Sequence, residues 1–135
     1  MRRAGRACAL DHVGLRTGDI DRLAAWDGRI LGLTPGPRPD FSFPGAWLCS
    51  GDHPVIHVIG ADPAPTPDPE NPPLQHFPPR GEDLAGLPAT LRQERVPWRA
   101  SQMPSGPADI ALVNLADPDG NAFHLDVPRA PAEGV

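Results

Sequence analysis

The chain has 135 residues with 17 acidic and 12 basic side chains, a formal net charge of −5, and contains 20 prolines and 14 glycines. Proline and glycine at about a quarter of the positions exclude a helical bundle or coiled coil, because both break long helices. The acidic balance leaves no electrostatic footprint for nucleic acid, and a hydrophobic fraction of 39% without blocks of like charge excludes a wholly disordered chain.

From the N-terminus, Arg2, Arg3 and Arg6 have the charge of a signal peptide, but Asp11 and His12 arrive before any apolar core. No run approaches the ~18 apolar residues of a membrane span. Cys8 and Cys49 have neither the number for a disulfide framework nor a metal-binding spacing. A soluble cytoplasmic protein is expected. Leu10–Leu15 reads as a short strand. Asp19 is a good N-cap for a helix over Ile20–Leu31, where Ile20, Leu23, Ala24, Ile30 and Leu31 form an apolar stripe that Gly32 ends. A proline-rich loop over Thr34–Pro44 follows. Ala46–Ser50, a Gly51-Asp52 turn and Val55–Ile59 then read as a hairpin, with His53 an exposed turn residue.

Residues 61–73 hold six prolines and predict an extended linker of about 40 Å at ~3.1 Å per residue. Beyond it the order repeats. A strand is predicted around His76 and a helix over Leu87–Arg95 with Pro88 in its first turn. Ile110–Leu115, the turn Asp117-Pro118-Asp119-Gly120 and Asn121–Val127 complete the half. His12, Arg16, Asp19, Ile20 and Leu23 match His76, Arg80, Asp83, Leu84 and Leu87 at a constant offset of 64 residues, which points to duplication. Each half is a β-α-β-β-β unit, its second strand the least defined. The expected fold class is therefore α+β: one domain over 8–128, with module one at 8–60, the linker, and module two at 74–128. Residues 129–135 are expected to form a disordered tail.

Four of the five histidines take equivalent places: His12 and His76 in the first strand of each half, His57 and His124 in the last. Strand alternation puts His57 on the face of Val55 and Ile59, and His124 on the face of Ala122 and Asp126. Phe123, Leu125 and Val127 point the other way. Imidazoles converging in a cavity suit a divalent metal ion such as Zn, Ni, Co, Mn or Fe(II), and an open coordination position permits Lewis-acid chemistry. Arg16 and Arg80 either bind an anionic substrate or pair with acids such as Asp19 and Asp83. Of Trp26, Trp47 and Trp98, Trp47 is the candidate substrate platform.

Leu10-Asp11-His12-Val13-Gly14-Leu15 through Ile30-Leu31-Gly32-Leu33, Pro44-Gly45-Ala46-Trp47-Leu48, Val55-Ile56-His57-Val58-Ile59 and Asp117-Pro118-Asp119-Gly120-Asn121-Ala122-Phe123-His124-Leu125 follow one another in order. This series resembles the vicinal oxygen chelate superfamily: glyoxalase I, extradiol dioxygenases, fosfomycin-resistance proteins and bleomycin-binding proteins. The resemblance covers about 10–128. It implies two tandem βαβββ modules forming an open barrel around a central metal cavity, with metal positions at His12, His57, His76 and His124. It also implies a small-molecule substrate chelated through adjacent oxygens, no nucleic-acid or membrane partner, and a homodimer.

Three departures matter. His124 stands where the family usually has glutamate, which removes a carboxylate from chemistry that needs a base. Asp126, on the same strand face, is either that base or an exposed rim carboxylate. Pro78-Pro79 interrupt a strand, and Pro88 lies in a helix. The function implied is a metal-dependent, glyoxalase-like lyase or isomerase. The alternatives are an extradiol-type iron dioxygenase and a non-catalytic binding protein for small molecules such as drugs.

Overall fold

A computed structural model describes residues 5–66, 68, 70, 74, 76–82, 84–101 and 110–128. Module one contains β1 (Val13–Thr17), α1 (Ile20–Leu31), β2 (Thr34–Gly36), β3 (Gly45–Ser50) and β4 (His53–Gly60). They form a four-stranded sheet in the order β1-β4-β3-β2, with β1 parallel to β4 and the other pairs antiparallel. The first strand runs later than Leu10–Leu15. Its parallel partner is Ile56–Gly60, and that pairing decides its extent, leaving Leu10 87% exposed.

Local chemistry sets the boundaries. The Asp19 side chain accepts a hydrogen bond from the Arg22 amide at 3.0 Å and caps α1. Gly32, at φ +70°, ends the helix in the left-handed conformation that side chains resist. Gly51, at φ +60°, is the first of two turn residues between the paired Ser50 and His53, the position a type II′ hairpin reserves for glycine. His53 opens β4 where a turn residue is predicted, and it is exposed as expected.

Module two follows the same order with one strand almost lost. A 3₁₀ turn (Leu84–Gly86) leads into α2 (Leu87–Gln93), then β5 (Arg99–Ser101), β6 (Ile110–Ala116) and β7 (Ala122–Pro128), an antiparallel sheet in the order β5-β6-β7. Pro88 lies in the first turn of α2, where no amide donor is missed. The helix stops short of Arg95, which turns out at φ +57°. The strand predicted around His76 shrinks to a single parallel bridge, Phe77 to Phe123, with the Phe77 amide donating to the Ala122 carbonyl at 3.2 Å. Pro78 and Pro79 have no N–H to carry the ladder further.

Among the described residues the two sheets are separate and do not close into a barrel. Part of the proline-rich segment is described; Pro67, Pro69, residues 71–73 and the tail at 129–135 lie outside the described residues. No helix among the described residues is long and apolar enough to cross a membrane.

One helix joins the modules. Leu23 of α1, with Ile20 and Ala24 beside it, packs against Leu15, Leu48, Ile56 and Val58 of the first sheet. Trp26 and Ile30 belong instead to the second cluster, with Leu87, Leu91, Val113, Phe123 and Val127. Trp26 meets Phe123 edge to face at 5.8 Å. Leu31 and Phe77 touch both clusters. Each unit thus completes its apolar burial against the other, as expected for halves too small to bury a core alone.

Candidate functional site

Each sheet has one face against helices and one face open. On β4, Ile56 and Val58 are buried while His57 and Ile59 point to the other side. On β7, Phe123, Leu125 and Val127 are buried while His124 and Asp126 face away, as alternation predicts. The register across the first sheet at the level of His57 is Gly14, His57, Trp47, Gly36. Gly14 and Gly36 bring no side chains to this row, and His12 supplies the ring on the β1 side.

The result is a stack. His12 lies on His57 with centroids 3.5 Å apart and planes at 11°; His57 lies on Trp47 at 4.1 Å and 15°. Beyond Trp47, Phe41 stands at 6.4 Å and stacks on Phe43 at 5.0 Å. The Arg38 guanidinium covers both phenyl rings at 4.9 and 5.1 Å and donates to the Phe43 carbonyl at 2.9 Å. An aromatic band therefore runs from His12 to Phe43. Arg38, Phe41 and Phe43 were not singled out by spacing, because they sit in a loop without periodicity.

Burial, then repulsion from His12, holds the His57 imidazole below its usual protonation range, against an opposing hydrogen bond to the Pro54 backbone. Its Nε2 is buried with no hydrogen-bond partner. His12 Nδ1 lies 2.8 Å from Asp11 Oδ2, and His53 Nε2 lies 2.9 Å from the Asp11 carbonyl oxygen and 3.3 Å from its Oδ1. The hydrogen bond to His12 is the main cause that lowers the Asp11 carboxyl. Asp11 thus orients His12, the arrangement in which a carboxylate fixes a histidine ligand from behind. Its position directly before His12 was the available signal.

In module two, His76 and His124 lie 5.4 Å apart with planes at 32°. His124 Nδ1 is buried without a hydrogen-bond partner; Asp126 Oδ1 approaches it only to 3.7 Å, and the Asp126 side chain is 66% exposed. Asn114, opposite His124 on β6, directs its amide to Arg99, Ser101 and Leu112. Arg16 lies on the same open face as His57. Neither Arg16 nor Arg80 makes an ion pair among the described residues. Asp19 is engaged as the α1 cap, and Asp83 lies outside the described residues.

The structure thus brings the four predicted histidines together as two pairs. Among the described residues, no three His, Cys, Asp or Glu side chains are placed to share one ion. The donor chemistry nonetheless fits a divalent metal: each pair presents one buried imidazole nitrogen without a partner, at repeat-equivalent positions.

No family model matches the chain, and no curated protein sequence matches it. Solved structures do. A glyoxalase family protein from Bacillus anthracis superimposes with a TM-score of 0.71 at 17% identity, covering 94% of this chain and 100% of its own. A glyoxylase/bleomycin resistance protein/dioxygenase domain from Frankia sp. EAN1pec gives 0.68 at 18%, covering 92% and 100%. A genomically encoded fosfomycin resistance protein from Listeria monocytogenes gives 0.65 at 14%, covering 90% and 94%. The chain has the fold of the vicinal oxygen chelate proteins. That three differently named activities share it means the fold alone does not choose among them.

Proposed function

We propose that the chain is a metal-dependent enzyme of vicinal oxygen chelate type, a lyase or isomerase acting on a small molecule through two adjacent oxygens. The observation that carries the reading is the pair of buried, unpartnered nitrogens, His57 Nε2 and His124 Nδ1, at equivalent places in the two modules. The residues that hold the ion are His12, His57, His76 and His124. A homodimer completes the set, the His12/His57 face of one protomer meeting the His76/His124 face of its partner.

A bound divalent ion supplies Lewis-acid polarisation of a carbonyl. The chain supplies the rest. His57 stays neutral through its burial, so its nitrogen remains a donor at neutral pH. Asp11 holds His12 in orientation. Asp126, beside His124 and open to solvent, accepts and returns the substrate proton, the task a metal-site glutamate performs in glyoxalase-type chemistry. Arg16 and Arg80 position anionic groups, and Trp47 forms the wall against which the substrate lies.

The aromatic band from His12 to Phe43 favours one further reading, a small-molecule binding protein without a reaction. Elemental analysis after dialysis against each of Zn, Ni, Co, Mn and Fe(II) separates the two. One ion per chain is expected, falling at least tenfold in both His57→Ala and His124→Ala. Less than a tenth of an ion per chain with every metal, and no rise in Tm on metal addition, would overturn the enzyme reading. Dimers mixed from a His12→Ala/His57→Ala chain and a His76→Ala/His124→Ala chain should regain one site if the set is shared between protomers, and none if it is not.

A further inference from the structure

The duplication makes a missing part visible. In module one, β1 runs beside β4 for its full length, pairing Val13–Thr17 with Ile56–Gly60. The equivalent segment of module two is 77–81, and only Phe77 pairs. Pro78 and Pro79 cannot donate to the ladder, so the chain stands away from β7 where module one is closed. Cavities lie on both sides of this displaced segment and share Pro78, Pro79, Arg80 and Gly81 as a wall. The smaller, about 280 Å³, is on the side of His124 and Asp126. The larger, about 550 Å³, reaches between the two apolar clusters, lined by Val13, Ile30, Leu31, Ile56, Phe77 and Leu125.

A cavity of that volume is within the ~300–1,000 Å³ range of small-molecule sites, and apolar walls with a few polar groups are their usual lining. The polar groups are informative. Asp11, on the rim, is engaged by His12 and His53. Glu82 lines the larger cavity only, whereas Arg80 lines both and has no ion pair among the described residues. A guanidinium at the shared wall matches a carboxylate in geometry and charge. We infer that this intermodule cavity binds a small aliphatic carboxylate, with its hydrocarbon part between the modules and its carboxylate at Arg80. The cavity shares His12 and Arg80 with the residues of the metal reading, but the binding inferred here needs no ion, so titration of the chelator-dialysed chain tells the two readings apart.

Calorimetric titration of the full chain, dialysed against chelator, with hexanoate, octanoate and decanoate tests the inference. Affinity should rise about fourfold per methylene until the cavity is filled. Octanoate should bind at least tenfold more tightly than octanol or octylamine. Arg80→Gln, an exposed change, should remove the preference for octanoate over octanol while keeping the chain-length trend. Val13→Phe, which fills the cavity from β1, should weaken decanoate at least tenfold. No dependence on chain length, tighter binding of octylamine through Glu82, or an undiminished carboxylate preference in Arg80→Gln would each overturn the proposal. If Val13→Phe unfolds, the Arg80→Gln titration still decides it.

Discussion

Asp27 is a buried acid without compensation. It lies on α1 within the apolar stripe, is 1% exposed, and its Oδ2 has no hydrogen-bond partner. Burial, followed by the charges of Asp117 and Asp119 in the β6–β7 turn, raises its pKa from 3.8 to about 7. An acid whose folded value is raised binds its proton more tightly when folded. Its contribution is therefore fully present below 3.8 and is lost as pH climbs from 3.8 towards 7. Linkage across that interval amounts to about 4 kcal/mol, at ~1.4 kcal/mol per pH unit. Asn is nearly isosteric with protonated Asp and does not titrate. Asp27→Asn should match the wild type near pH 4 and exceed it by about 2–4 kcal/mol at pH 8. His57, lowered chiefly by burial, titrates in both proteins and cancels in the difference, whereas Asp117, itself raised chiefly by burial, is coupled to Asp27, so its repulsion is part of what the substitution relieves. Urea unfolding of the two proteins from pH 4 to 8, followed by tryptophan fluorescence, measures it. A stability difference that stays constant over this range, or a variant less stable at pH 8, would refute the account of Asp27 as a buried, uncompensated acid.

Two further outcomes follow from the backbone. Gly32→Ala places a side chain at φ +70° with nothing within 4 Å of its Cβ, so the loss is purely conformational, ~1 kcal/mol by thermal or urea unfolding. Replacing Pro78 and Pro79 together by valine restores two N–H donors beside β7; amide exchange at 78 and 79 should then show protection, and octanoate should lose affinity as the cleft closes.

Module one was almost wholly legible because its signals are local. Asp19, Gly32 and the Gly51-Asp52 pair fix helix and hairpin ends through a cap and two positive φ angles, and each is where the residue type demands. Alternation placed His57 and His124 on the open faces for the same reason. What was not legible depends on partners distant in sequence. The apolar stripe of α1 is visible, but not that Trp26 and Ile30 serve the second module's cluster while Leu23 serves the first. Asp27 sits one turn after Leu23 on that stripe, and its burial without a partner for Oδ2 comes from packing that the sequence does not show. The pairing of the histidines likewise depends on side-chain stacking across strands, which spacing does not encode.

The two modules show how one skeleton is made to do unlike things. They share element order, histidine positions and the parallel contact between first and last strands, seen in full at β1–β4 and as a single bridge at Phe77. In module one that contact is closed, and its open face carries rings in van der Waals contact from His12 to Trp47. In module two, two consecutive prolines remove the donors that would seal the same contact, and Arg80 stands at the opening with cavities on either side. Proline is usually an argument against structure. Here it leaves the sheet, helix and core of module two intact and deletes one ladder, which converts a closed edge into a lined cleft beside His124. Differences between duplicated halves are thus the place to look for what a shared fold does in a particular chain, since the common parts are answerable to folding and the departures are not.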